Sequence, residues 1–201
     1  MGRQRGEADM ETGSQPEIRE QIERSMLLRT GELGYRHVSV RSVFEGYGGD
    51  RQQFDRHFVD KAECFAIAYG NAIERLSQEM LSLIDSEAPC RSRVEGALGR
   101  LAAMATSEPA LARALFIEVH VAGGPALEKR QRVIERLALA IDAACREPGS
   151  GNIPPSMTAE FIVGVVDQAV ASSIVREAPG ELEAAIPELG LILSDLLRSG
   201  R

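Results

Sequence analysis

Between residues 39 and 61 the chain concentrates side chains that can bond the bases and phosphates of DNA. Arg51 can donate two parallel hydrogen bonds to guanine, and Gln52 or Gln53 can bond adenine in a similar bidentate manner. Four more donors suit the phosphate oxygens that position a protein on a duplex: Ser39, Arg41, His57 and Lys61. These residue types predict a local DNA contact, because the net charge of −7 gives the whole chain no attraction for nucleic acid.

Two aspartates lie within this segment. Asp50 directly precedes the helical pattern that contains Arg51, and we interpret it as an N-cap whose carboxylate accepts from exposed amide groups. Asp55 follows Arg51 by one helical turn, where an acid either repels phosphate or accepts a hydrogen bond from a cytosine amino group. Both interpretations of Asp55 stay open at the level of sequence.

No other set of residues indicates chemistry. The segment Gly46-Tyr-Gly-Gly49 lacks the preceding strand and the GKS/T ending of a phosphate-binding loop. Three cysteines stand far apart, and their spacing indicates neither a disulfide framework nor a zinc site: Cys64, Cys90 and Cys145. The chain contains no HExxH or GxSxG motif, so we predict no enzyme, no metal and no cofactor.

The elements that position these residues are predicted to be helices throughout. Of the 201 residues 44% are hydrophobic but only 4% are aromatic, and this shortage of sheet-forming side chains favours an all-α protein. After a polar, disordered arm over residues 1–13, the first helix begins at the Ser14 capping signal. Ser39 begins a short second helix, and Asp50 and Asp60 begin a third and a fourth.

The three short helices within residues 14–60 have the layout of a helix-turn-helix DNA-binding domain, although an ordinary three-helix corner fits the same spacing. In residues 61–201 a long fourth helix begins at Lys61, and five more are separated by Pro and Gly: 90–106, 109–122, 125–147, 156–177 and 181–198. Pro187 is expected to interrupt the last helix, and residues 149–156 are expected to form a loop.

The first domain resembles a known family. Its motif positions, in gapless register over residues 18–65, are Gly34-Tyr35, Ser39-Val40-Arg41, Val43, Gly48, His57-Phe58 and Lys61. This pattern resembles the N-terminal domain of the tetracycline repressor (TetR) family of bacterial transcription regulators. Asp55 departs from it, because the family commonly has a phosphate-contacting Tyr at that position. The resemblance implies a homodimeric repressor that leaves an inverted-repeat operator when a small-molecule effector binds.

Residues 61–201 are then expected to bind the effector and to form the dimer. Flexible and aromatic side chains on core-facing stripes are the candidates for an effector cavity: Tyr69, Met80, Met104, Phe116 and Phe161. His120 is either a further pocket residue or an ordinary structural histidine. Wide apolar faces over 161–174 and 189–197 predict a four-helix dimer interface, and its central residues are Val166, Val170, Ile192 and Leu196.

A second class of function stays open, namely a helical ligand-binding or dimer module whose DNA-binding surface has decayed. Asp55 and the absence of net charge on the third helix favour it. No apolar run approaches the ~18 residues of a membrane span. The polar start also lacks the apolar stretch of a signal peptide, so we predict a cytoplasmic protein with no membrane partner.

Overall fold

The structure, a computed structural model, describes residues 15–145 and 155–199. Within these two ranges the chain consists of helices and short connections, and no strand occurs in them. The predicted all-α class is therefore confirmed.

The first three helices form a compact unit. Helix α1 comprises Gln15–Leu33, α2 comprises Val40–Tyr47 and α3 comprises Arg51–His57. Helix α2 begins where the Ser42 amide donates to the Ser39 hydroxyl at 3.1 Å, which confirms the predicted cap. The short helices thus begin at signals that are local in the sequence.

Two residues shape the turn between α2 and α3. Gly48 has a φ of 76°, a left-handed conformation that side chains with a Cβ rarely adopt. Asp50 caps α3, because its Oδ1 accepts from the Gln53 amide at 2.8 Å, and the Gln53 side chain accepts from the Asp50 amide at 3.3 Å. This capping box confirms the interpretation of Asp50 as a helix cap.

Helix α4 comprises Lys61–Ile84 and connects the three-helix unit with the helices that follow. Its 24 residues extend about 36 Å at ~1.5 Å per residue. Phe65 near its start and Met80 near its end are both buried, and they belong to one continuous hydrophobic core that extends along the helix. A displacement of α4 would therefore act on both ends.

The segment predicted as one helix over 109–122 is divided. Helix α5 comprises Cys90–Ser107, α6 comprises Pro109–Arg113, a π-helical turn comprises Ala114–Glu118, and α7 comprises Val119–Ala122. This segment packs against α1 as well as α4, and five of the six residues from 114 to 119 are buried. The helical periodicity of the sequence does not reveal this π turn.

The last three helices complete the second part. Helix α8 comprises Gly124–Cys145, α9 comprises Pro155–Val175 and α10 comprises Pro179–Ser199. Two positions of the loop predicted for 149–156 begin α9, and the others lie outside the described residues.

The predicted interruption of α10 at Pro187 is wrong, because the helix continues through it. Leu182 and Leu193 are buried on either side of this proline, and α10 packs along α5. We attribute the continuity to this packing, which offsets the lost backbone hydrogen bond.

The cysteines differ in state. Cys90 is disulfide-bonded, contrary to the expectation from the sequence. The fold brings the first turn of α5 against the end of α8, where Arg93 Nη1 donates to the Ala144 carbonyl at 3.0 Å. Separation along the sequence therefore does not indicate which residues can approach Cys90. Cys64 is free and buried, and burial raises the pKa of its thiol above the ordinary value.

None of the described helices is long and apolar enough to cross a bilayer. The described ranges also contain no group of three or more acidic, His or Cys residues that could hold a metal ion.

Candidate functional site

Three of the predicted DNA-binding side chains on α2 and α3 face solvent. Arg41 on α2 and Arg51 and Gln52 on α3 are exposed. Phe54 is the fully buried residue of α3, and it fixes which side of the helix faces outward. The Ser39 hydroxyl accepts the Ser42 amide, which leaves its own hydrogen available for a phosphate oxygen.

Both exposed arginines are paired with an acid one turn further along their helix. Arg41 Nε lies 2.7 Å from Glu45 Oε1, and Arg51 Nε lies 3.2 Å from Asp55 Oδ2. Exposed pairs of this kind contribute only about 0.3–0.5 kcal/mol, so each guanidinium can exchange its acid for another anion at little cost. The four-residue spacing of Arg51 and Asp55 permits their contact.

Two residues predicted to contact DNA make other contacts in the structure. The Gln53 Oε1 accepts from the Asp50 amide and so takes part in the capping box of α3. The Lys61 Nζ donates to the Tyr35 carbonyl at 2.9 Å and lies 4.4 Å from the centre of the Tyr35 ring. The Lys61 ammonium therefore joins α4 to the loop after α1. His57 is half-buried at the end of α3, beside Phe58.

A cavity of about 110 Å³ lies in the second part of the molecule, bounded by α4, α5, α8, α9 and the π turn. Its walls are almost entirely apolar, and the side chains that line it include Ile73, Leu76, Met80, Leu101, Phe116 and Ile162. Such walls favour an apolar ligand.

Only part of the predicted effector pocket lines this cavity. Met80 and Phe116 do, whereas Tyr69 is fully buried and donates to the Leu115 carbonyl at 3.5 Å. Met104 lines a separate polar cleft beside α1.

His120 and Phe161 are not among the residues that line this cavity, and both are exposed. Phe161 is 64% exposed, and its neighbour Ile162 lines the cavity instead. Helix α9 is apolar on most of its surface, so periodicity alone could not choose between these adjacent residues.

Sequence reasoning missed an ion pair in the cavity wall, between Arg130 of α8 and Asp167 of α9. The Arg130 side chain is only 8% exposed. Asp167 could have been noticed as the one acid within the apolar run 161–175, but Arg130 stands among other charged residues and carries no such signal. Burial raises the pKa of the nearby Tyr69 hydroxyl, with Arg130 opposing this shift and Asp167 adding to it.

The predicted dimer residues separate into two groups. Val170 is fully buried within the single chain, whereas Val166 is half-buried and lines the cavity. Ile192 and Leu196 are 47% and 39% exposed on α10. With the exposed Phe161 of α9 they form what we call the outer face.

No protein-family model and no curated protein sequence matches the chain. Solved structures do match it. The fatty acid degradation regulator FadR from Bacillus halodurans superposes with a TM-score of 0.74, at 14% identity over 87% of this chain and 96% of that chain. The transcriptional regulator FadR from Bacillus subtilis, solved in complex with stearoyl-CoA, has a TM-score of 0.73, at 15% identity over 90% and 98% of the two chains.

A TetR transcription regulator from Haloarcula marismortui also superposes with a TM-score of 0.73, at 14% identity over 90% of this chain and 97% of that chain. The chain has the fold of the TetR-family regulators. The TetR fold comprises a helical helix-turn-helix domain and a second helical domain, so the predicted architecture is confirmed. At 14–15% identity the similarity concerns the fold alone. It gives no information about the side chains of the α2–α3 surface or of the cavity.

Proposed function

We propose that the chain is a DNA-binding transcription regulator that binds an inverted-repeat operator and is released from it by an apolar effector. The observation that carries this proposal is the exposed surface of α2 and α3, where Arg41, Arg51 and Gln52 stand clear of the core. Arg51 and Gln52 would read bases, while Ser39 and Arg41 would hold phosphates. Such a function would be exercised in the cytoplasm.

The test of DNA binding is selection of bound duplexes from a random pool by the full chain. We expect an inverted repeat whose half-sites lie on the order of 34–36 Å apart, one turn of the double helix. Failure to enrich any sequence would favour the alternative, a helical module whose DNA-binding surface has decayed. The engaged Lys61 ammonium and the Arg51–Asp55 pair are the specific observations behind that alternative.

The effector is proposed to occupy the apolar cavity between α4 and α9. Because the Bacillus subtilis neighbour was solved with stearoyl-CoA, long-chain acyl thioesters are the first compounds to test, with anilinonaphthalene sulfonate as a generic apolar probe. A ligand present at 100 times its Kd stabilises the folded chain by about 2.7 kcal/mol, which a thermal-shift measurement detects. The same compound should lower the affinity for the selected operator.

We propose a homodimer through the outer face, which leaves large apolar side chains in water on the single chain. Ile192→Glu and Leu196→Glu are each expected to yield a monomer in analytical ultracentrifugation at micromolar concentration, because each buries a charge in the interface. Val59→Glu is the matched control, since Val59 is 85% exposed between α3 and α4. A monomeric wild-type chain would refute the interface.

Asp55→Ala is expected to raise DNA affinity about threefold to tenfold for all sequences alike, because it removes a negative charge beside phosphate and releases Arg51. Fluorescence anisotropy at fixed salt, on the selected operator and on single-base mismatches, checks this result. Glu128→Ala on α8 makes the same charge change on an exposed site of another helix and should have little effect. A loss confined to one base pair would instead show that Asp55 reads a cytosine.

A further inference from the structure

A buried carboxylate connects the cavity wall with the DNA-binding unit. Glu118, the last residue of the π turn, is 5% exposed. Its Oε2 accepts a hydrogen bond from the Tyr35 amide at 2.8 Å, across 83 positions of sequence. Its Oε1 lies 3.5 Å from the Arg113 Nε. The carboxylate is thus held from both sides, and its strongest contact is with the loop that leads from α1 to α2.

On one side, Glu118 belongs to the same π turn as residues that line the cavity. Leu115 and Phe116 belong to the same π turn and line the cavity. Five consecutive residues in π geometry move together, because the turn is closed by its own backbone hydrogen bonds. A ligand that displaces the backbone at Phe116 would therefore also displace the backbone that carries the Glu118 carboxylate.

On the other side, Tyr35 is joined to the helices that present the DNA contacts. The Tyr35 carbonyl accepts from Lys61 Nζ at 2.9 Å, and its ring meets the Phe65 ring at a centroid distance of 5.0 Å. Tyr35 also lies four residues before Ser39, the cap of α2. A shift at Tyr35 is therefore transmitted to the start of α4 and to the start of α2.

At one point of this contact the two backbones meet directly, with no side chain between them. Gly31, in the last turn of α1, lies directly on the backbone of α6, and a Cβ at this position would overlap the Ala110 carbonyl. Close backbone contact of this kind transmits displacement, because neither surface has rotamers that can yield. Helix α6 and the π turn thus form one continuous contact with the end of α1.

We propose that Glu118 is a positioning residue that transmits occupancy of the cavity to the DNA-binding helices through the Tyr35 amide. In the ligand-free chain the Glu118–Tyr35 hydrogen bond holds the loop after α1, and with it α2, in the orientation that binds the operator. This inference rests on the proposed function. The inference adds the contact through which the cavity would act on the DNA-binding helices. The shape of the cavity alone does not specify this contact.

The first test compares operator affinities of full-length variants at fixed salt. Glu118→Ala is expected to weaken binding about tenfold, because the Tyr35 amide loses its partner. Glu118→Gln retains an oxygen that accepts from this amide, and it should restore most of the affinity. Glu177→Gln is the control, since Glu177 lines the same surface cleft as Glu118, and it should stay within about twofold. The dependence of binding on salt should not change, because Glu118 is not proposed to touch phosphate.

The second test needs no DNA and uses anilinonaphthalene sulfonate as the ligand. In the wild-type chain, saturation with this probe should change amide hydrogen exchange of residues 34–38 at least threefold. In Glu118→Ala the same segment should exchange at one rate with and without the probe. Glu118→Gln should respond as the wild type does, which a purely structural loss would not produce.

The outcomes separate the two proposals. If the wild-type chain selects no duplex, the proposed function fails, and the exchange measurement still decides whether Glu118 communicates with the cavity. If duplexes are selected but Glu118→Ala binds them as tightly as Glu177→Gln does, the route through Glu118 is overturned. A probe response of the 34–38 segment that persists unchanged in Glu118→Ala overturns it as well.

Discussion

Asp167→Asn is expected to lower the free energy of unfolding by about 3–5 kcal/mol. The substitution keeps the size of the side chain but leaves the Arg130 guanidinium, which is almost buried, without its negative partner in an apolar wall. Removing one member of a buried ion pair is costly because the remaining charge stays desolvated. Urea unfolding followed by circular dichroism measures the change.

Two comparisons isolate the effect of burial. Glu181→Gln breaks the ion pair between Arg176 and Glu181, whose side chains are both exposed, and should change stability by less than about 1 kcal/mol. The double replacement Arg130→Met with Asp167→Leu removes both charges together and is expected to be near neutral or stabilising. A loss below about 1 kcal/mol for Asp167→Asn would contradict this account of the cavity wall.

Phe54→Ala is expected to lower the free energy of unfolding by about 3–5 kcal/mol and to abolish operator binding. Phe54 is the fully buried side chain of α3, and its ring packs on that of Phe58 with a centroid distance of 5.7 Å. The cost combines lost burial with the cavity that the ring leaves behind. Helix α3 has only seven residues, so without this anchor it is too short to persist.

The matched control is Gln52→Ala, on the exposed side of the same helix. The substitution should leave the midpoint of the unfolding transition unchanged. It should reduce discrimination between operators only at the base pair that Gln52 is proposed to contact. Denaturant titration and fluorescence anisotropy on the selected operator provide both readouts. Retention of full operator affinity by Phe54→Ala would show that α3 does not depend on this packing.

Local signals in the sequence were sufficient to predict the helix starts of the three-helix unit. Ser39 and Asp50 cap helices through amides only three positions away, and Gly48 supplies a positive φ within a single residue. All the atoms that decide these features lie within a few positions of each other, so their residue types predict the geometry. The same holds for Asp60 at the start of α4.

The sequence was less informative where helices are apolar on more than one side. In α9 both the core-facing and the outward stripes carry large hydrophobic residues. The sequence predicts Phe161 for the cavity and Val170 for the dimer surface, whereas in the structure Phe161 is 64% exposed and Val170 is fully buried. Periodicity reports which residues share a face but not which face is buried when two qualify. Burial is decided by the neighbouring helices.

What the sequence determined by itself was the all-α class, the start of each early helix and the polar side chains that α2 and α3 expose. The tertiary structure alone decided which side chains meet across long distances. Glu118 reaches Tyr35 over 83 positions, and Arg130 reaches Asp167 over 37. The physical reason is that helix starts depend on short-range hydrogen bonds, whereas these contacts exist only after four or more helices have packed and excluded water around the charges.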